Sequence, residues 1–324
     1  MPDRTTPPSR RDPRVTRWIA RTLAIQPLRA PSLIVTVWGD AVLPHGGAAL
    51  LPGLIEILAT FGLNERHVRT SMYRLVQQGW LTATPVGRRS LYALTPDGAR
   101  RFAEARRRIY AMPAVEWDES WELVIADGLS GAERRQLATE LHWAGLGDFG
   151  NGVFARPTQP ESPVSRIVEA RGVAGGVAIV RARDLPNAGG RTLASMVDKA
   201  WDLDGVAAQY RRLLQRFGTV IERFREQDDD THDPLQCFVV RTLLIHAYRR
   251  ALLRDPRLPA ALLPLDWPGA AAYVLCRDFY RLTHRAAERY LAATLESEDG
   301  PLPAADAAFY QRFEGLPTDA RIKV

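Results

Sequence analysis

The residues best suited to chemistry lie on the outward face of one predicted helix. Over residues 64–78, Val68, Met72, Leu75 and Val76 gather on one side of a helical wheel, leaving Arg66, Arg69, Thr70, Tyr73, Arg74 and Gln77 outside. Arginine can pair bidentately with guanine and glutamine with adenine, so this face suits a major-groove reader, although an ordinary solvated helix carries similar residues. Arg88 and Arg89 follow at the tip of a predicted hairpin, where guanidinium groups can touch phosphates or the minor groove. A second set, Arg241, Tyr248, Arg249, Arg250 and Arg254, precedes Leu258-Pro-Ala-Ala-Leu-Leu-Pro264 and Trp267-Pro268. Arginines beside an aromatic and apolar wall can hold a phosphate-bearing ligand with an apolar tail. The alternative is a helix–helix interface with solvated arginines.

Other chemistries find less support. Gly145-x-Gly147-x-x-Gly150 matches the dinucleotide fingerprint literally, but it follows a predicted helix and precedes a predicted strand, the reverse of a Rossmann turn. The six histidines form no metal or triad pattern; His284 and Glu288 share a helical spacing and read as a surface pair. Cys237 and Cys276 sit in apolar stretches without CxxC partners and read as two buried small hydrophobes. No metal or cofactor is expected.

Several elements must position these groups. From Ser32, a possible N-cap, Leu33, Ile34, Val37 and Trp38 are spaced for a buried helix face. Leu51, Leu54, Ile55 and Leu58 define a second helix that Gly62 should stop, and Asn64 can cap the third, which Gly79 terminates. Two helices around a short glycine turn make a helix-turn-helix candidate. Trp80–Thr84 and Arg89–Leu94 read as a hairpin, a wing, and Thr95-Pro96 starts a basic helix. Further on, Trp121–Ala126, Phe149–Ala155 and Val177–Ala182 read as strands, and Ser130 to Glu133 has capping-box spacing. A strand, a helix and two more strands indicate a small ferredoxin-like α+β unit. Amphipathic helical segments then fall near 192–226, 234–254 and 268–294.

Length and composition set the frame. At 324 residues the chain should form two or three domains, and 46% apolar with 25% charged residues is ordinary for a soluble globular protein. No apolar run reaches the ~18 residues of a membrane span, and the arginine-rich start lacks a signal-peptide core, so a cytoplasmic location is expected. Residues 1–110 hold 17 Arg against 7 Asp and Glu, while the remainder is mildly acidic. That asymmetry points the N-terminal third at a polyanion. Before Pro31, prolines alternate with Arg10, Arg11, Arg14, Arg17 and Arg21, which reads as a basic arm, lying along DNA or simply solvated.

Together these residues resemble the PaaX-type repressors of bacterial phenylacetic acid catabolism. The matching stretches are Ser32-Leu-Ile-Val-Thr-Val-Trp-Gly-Asp40, Phe61-Gly-Leu-Asn-Glu-Arg-His-Val-Arg-Thr70, Arg74-Leu-Val-Gln-Gln-Gly-Trp80-Leu, Gly87-Arg-Arg-Ser-Leu-Tyr92, Trp201-Asp-Leu, Tyr248–Pro259 and Leu262–Gly269. The resemblance implies a mostly helical α+β multidomain protein. A basic flexible arm (1–30) would precede a winged helix-turn-helix domain (31–112). A ferredoxin-like middle domain similar to CRISPR-associated nucleases (113–190) and a helical dimerisation and effector-response domain (191–324) would follow. It further implies a homodimeric, non-enzymatic repressor of an aromatic-acid degradation operon, bound to double-stranded operator DNA and released by phenylacetyl-CoA or a related acyl-CoA. Arg241, Tyr248, Arg249, Arg250 and Trp267 are the effector candidates. The competing reading is a metal-dependent nuclease using Asp127, which stands where the resembled nucleases carry an aspartate.

Overall fold

The computed structural model describes residues 11–25, 28–112, 117–159, 162–183, 193–228 and 231–317. Its contacts divide the chain into two units: one of Met1–Met112, Arg211–Arg250 and Ala270–Val324, the other of Pro113–Tyr210 and Ala251–Gly269. Most of the helical C-terminal third groups by contacts with the unit that contains the predicted reader.

The first unit begins with helix α1 (Pro13–Ile25), where a flexible arm was expected. Proline suits the first helical position because its missing N–H has no partner there anyway. Val15 and Thr22 are buried, and Trp18 meets Phe217 edge-on at 5.3 Å while its Nε1 donates to the Arg216 carbonyl at 3.3 Å. The proline-rich first ten residues lie outside the described residues. Helix α2 (Ala30–Val37) starts two residues earlier than expected: Arg29 holds the cap position and Pro31 the first turn, so Ser32 is not the N-cap. A π-helical turn over Trp38–Val42 then carries Asp40 into the core. Strand β1 (Ala48–Leu50), helices α3 (Leu51–Ala59) and α4 (Glu65–Gln77), strands β2 (Leu81–Val86) and β3 (Arg89–Leu94), and helix α5 (Pro96–Tyr110) follow. The sheet has the antiparallel order β1-β3-β2. β1 is too short to leave a periodic signature in sequence.

The second unit runs β4 (Ser120–Ile125), α6 (Gly131–Trp143), β5 (Gly147–Gly150), β6 (Val153–Pro157), α7 (Val164–Ala170) and β7 (Ala178–Arg183). Its four antiparallel strands take the order β5-β6-β4-β7, which with β-α-β-β-α-β connectivity is the ferredoxin-like arrangement. The expected strand Phe149–Ala155 is in fact a hairpin, because Asn151 and Gly152 both adopt positive φ and reverse the chain. Ser130 and Glu133 do form a reciprocal capping box. A core of Val124, Leu137, Leu141, Phe154 and Val164 holds the helices to the sheet. Helix α8 (Leu193–Trp201) adds Val197 and Trp201 to a second core with Trp121, Leu258 and Leu262.

Helices α9 (Leu203–Arg225), α10 (Pro234–Leu252) and α11 (Gly269–Thr294) supply the long C-terminal scaffold. Strands β8 (Glu296–Ser297) and β9 (Gly300–Pro301) and helix α12 (Ala307–Tyr310) complete the first unit.

That unit is organised around the Asp40 carboxylate, which is 1% exposed. Its Oδ1 accepts from the hydroxyls of Tyr110 at 2.5 Å and Tyr280 at 3.1 Å, and its Oδ2 lies 3.4 Å from Arg241 Nε. Arg312 donates to the carbonyls of Asp40 at 2.9 Å and Gly39 at 3.1 Å, and also to the Tyr280 hydroxyl. Its guanidinium stands 4.2 Å from the Tyr110 ring centre. Arg241 continues to Glu288 at 3.2 Å, and Glu288 to His45 at 2.8 Å. Glu288 is thus a network carboxylate, and His284, 3% exposed between the Arg281 and Pro317 carbonyls, is a core histidine. The expected surface pair does not exist.

Both ring nitrogens of His45 face acceptors, Glu288 and the Pro303 carbonyl at 2.7 Å, an arrangement that suits the imidazolium. Burial disfavours that charge, but Glu288 and the carbonyl outweigh it and raise the pKa above the ordinary histidine value. Burial likewise opposes the Glu288 charge, and His45 and Arg241 overcome it, holding its pKa low.

Two outcomes follow for stability. Arg312→Met leaves the Asp40 charge undercompensated, and urea denaturation should show a loss of about 3–5 kcal/mol, the range for breaking a buried ion pair from one side. Because His45 has a raised folded pKa, its contribution is complete at low pH and lost as pH rises through that value. As pH rises above the ordinary histidine value the wild type should therefore lose stability relative to His45→Gln, with a slope no steeper than about 1.4 kcal/mol per pH unit, one proton's worth. Parallel pH profiles for the two proteins would exclude a charged His45.

Candidate nucleic-acid interface

Local chemistry starts and stops α4 at definite residues. The Asn64 side chain accepts from the His67 N–H at 2.9 Å, and Gly79, at φ +73°, adopts the left-handed conformation that ends the helix. Val68, Ser71, Met72 and Leu75 are buried, and α4 packs on α2 and α3. Arg66, Arg69, Thr70, Tyr73, Arg74 and Gln77 are all exposed, Tyr73 by 63%. The outward set read from sequence thus lies on one open face. A single exposed tyrosine among cations has no folding role in this packing.

The cations of that face differ in commitment. Arg69 is held by Glu65 at 2.7 Å, one turn away and equally exposed. Among the described residues, Arg66, Arg74 and Arg88 form no ion pair, so nothing balances their charge. Arg88 occupies the two-residue turn between β2 and β3, beside Gly87 at φ +58°, where a side chain would be strained. Arg89 pairs across it with Val86 and binds Glu296 at 2.6 Å. Thr95 ties the hairpin to its neighbours. Its hydroxyl donates to the Gly79 carbonyl at 2.6 Å and accepts from the Gly98 N–H at 2.9 Å, joining the end of α4 to the start of α5. Trp80 meets Phe102 edge-on at 5.6 Å under Arg101, which fixes the hairpin base against α5.

The effector candidates differ in burial. Arg241 is fully buried and bound to Asp40 and Glu288, so it is a structural cation with no face for a ligand. Tyr248 is buried, at 1% exposure. Trp267 belongs to the second unit, where it packs edge-on to Tyr210 at 6.1 Å. Arg250 is exposed and Arg249 half-buried. Arg249 donates to the Ser32 carbonyl at 3.4 Å and the Thr36 hydroxyl at 3.3 Å. Thr36 also bonds His246 Nδ1 at 2.8 Å. Burial, helped by Arg249 and Arg250, lowers the His246 pKa to about 4, so this ring is neutral. Sequence reasoning missed His246 and Thr36 because a lone histidine in an apolar helix gives no spacing signal.

Of the remaining expectations, Gly145–Gly150 does join the end of α6 to β5, the reverse of a dinucleotide turn. Asp127 is exposed just beyond β4, and no group of three or more His, Cys, Asp or Glu that could hold a metal occurs among the described residues. Cys237 and Cys276 are both buried. Among those residues no helix is long and apolar enough to cross a membrane.

Comparison with known proteins adds three family matches. Residues 29–98 match the PaaX-like protein model, residues 114–197 the PaaX protein central Cas2-like domain, and residues 201–293 the PaaX-like protein C-terminal domain. The transcriptional repressor PaaX of Escherichia coli strain K12 is 34% identical over 291 residues, covering 90% of this chain and 92% of the relative. A solved structure of an uncharacterized Mycobacterium tuberculosis protein is similar with TM-score 0.53 and 26% identity, covering 79% of this chain and 96% of that one.

Asn64→Ala removes the acceptor for the His67 N–H and should cost about 1 kcal/mol in urea denaturation, with the denaturant slope unchanged. An unchanged midpoint would mean that the α4 terminus is held by packing alone.

Proposed function

The chain belongs to the PaaX-like protein family, and we propose that it represses a phenylacetate degradation operon as a homodimeric winged-helix protein. Helix α4 enters the major groove, with Arg66, Arg69, Thr70, Tyr73, Arg74 and Gln77 reading or positioning on the bases, and Arg88 and Arg89 contact the backbone from the wing. The observation that carries this reading is the open face of α4, which leaves Arg66 and Arg74 without carboxylate partners beside a turn that presents Arg88. Phosphates supply the missing charge and release counterions on binding. A twofold dimer would match a roughly palindromic operator with half-sites one helical turn or a multiple apart. The nuclease alternative has no comparable observation.

Phenylacetyl-CoA or a related acyl-CoA is the proposed effector, with Arg249 and Arg250 as its contacts; Arg241 and Tyr248 are left out because they are buried. Release requires tighter effector binding to the DNA-incompetent state. The contacts of Arg249 and His246 with α2, on which α4 packs, offer a route: an anion that draws Arg249 away from Ser32 and Thr36 alters the support of the reading helix.

Anisotropy titrations on the chain's own upstream DNA at one fixed salt concentration test the reading. Arg69→Ala and Arg74→Ala should each weaken binding by about 1–3 kcal/mol, and phenylacetyl-CoA, unlike free phenylacetate, should release the wild-type complex. Unchanged affinity in both variants would remove α4 from the interface. A complex that the thioester leaves intact would remove the effector.

A further inference from the structure

A groove between α1 and α9 gathers cations that neither the reader nor the buried network uses. It encloses about 270 Å³ and is lined by Arg14, Arg17, Arg21 and Arg223, with Trp18 and Val220 among its apolar residues. The three α1 arginines fall at i, i+3 and i+7, so they share one face of the helix, and all three are exposed. Among the described residues Arg14 and Arg21 make no ion pair, Arg17 reaches only the Pro13 carbonyl at 3.4 Å, and Arg223 pairs with Glu226 at 2.7 Å. Among the described residues no carboxylate lines the groove. Four guanidinium groups converging on one concavity repel one another, and the repulsion is relieved by a multiply charged anion.

The wall beneath those charges narrows the choice of anion. Trp18 is half-buried and held in place by its edge-on contact with Phe217 and its bond to the Arg216 carbonyl, so the ring is fixed before any ligand arrives. Val15 and Val220 are buried around it. A fixed indole beside guanidinium groups offers a flat apolar partner to a planar base and bidentate donors to its phosphates. Duplex DNA is a convex rod and does not fit a concavity of this size. We infer that the α1–α9 groove binds the base and phosphates of a nucleotide, carried either by a free nucleoside diphosphate or by the nucleotide half of a coenzyme A thioester.

The inference depends neither on the operator reading nor on the effector contacts proposed at Arg249 and Arg250, which the groove variants leave intact, and calorimetry on the full-length protein separates them. ADP and coenzyme A are titrated separately into the wild type and into the Arg17→Gln/Arg21→Gln double variant, with Trp18→Leu as an independent probe of the apolar wall. All of the altered arginines are exposed, and thermal melts check that each variant is folded. Binding of both probes, weakened at least tenfold in the double variant and in Trp18→Leu, is the expected result. Binding of coenzyme A alone assigns the groove to a thioester ligand, and binding of ADP alone to a free nucleotide, provided that the same variants weaken it. If neither probe binds, or binding is unchanged in both variants, the inference is overturned. A double variant that loses operator affinity while nucleotide binding persists unchanged would place the stripe on DNA and overturn it equally. Loss of operator binding in Arg69→Ala or Arg74→Ala bears only on the reader.

Discussion

The first unit depends on a buried negative charge. Asp40 sits in the π-helical turn after α2, and the groups that neutralise it come from the last turn of α5, from α10, from α11 and from the segment after α12. Removing a carboxylate from water is costly, and only close cations and hydroxyls make it tolerable. The ends of α2 and α5 therefore meet at the same atoms, and the C-terminal third supplies both guanidinium groups. A hydrophobic core would tolerate small shifts among these helices. A carboxylate with directed partners tolerates fewer orientations, so it sets the geometry from which α4 and the hairpin project.

This constraint explains which parts of the architecture were legible in sequence. Asn64, Gly79, Thr95 and Ser130 act through neighbours within a few residues, and the caps and stops they signal are present. The outward face of α4 was legible because amphipathic periodicity is a property of one helix. Asp40, Arg241 and Arg312 lie up to 272 positions apart, and nothing in their spacing announces that they meet. For the same reason the grouping of most of α10 and α11 with the first unit leaves no mark in sequence. The N-terminal helix was missed differently: its arginines read as solvated arm, and the burial of Val15 and Thr22 depends on α9 and α10, more than 190 residues on.

Arginine carries three different meanings in this chain. Arg241 and Arg312 are buried among carboxylates and aromatic rings, which keep them charged, and they serve the fold. Arg69, Arg89 and Arg223 are exposed but bonded to nearby glutamates, pairs that contribute little to stability and can open for a better anion. Arg14, Arg21, Arg66, Arg74 and Arg88 are exposed with no ion pair among the described residues. Arginines of this last kind gain, on meeting an anion, charge compensation that the protein does not already provide.

That ordering bears on how two anionic ligands are kept apart. Two sets of these arginines differ in setting: Arg66, Arg74 and Arg88 lie on a helix and turn, Arg14 and Arg21 on the wall of a groove. A long polyanion matches the first set because it can run across several side chains without entering a cavity. A compact anion matches the groove because several guanidinium groups reach it at once and Trp18 covers its uncharged part. The same residue type thus discriminates by the curvature of the surface that displays it, and that curvature is set by helix packing far from either site.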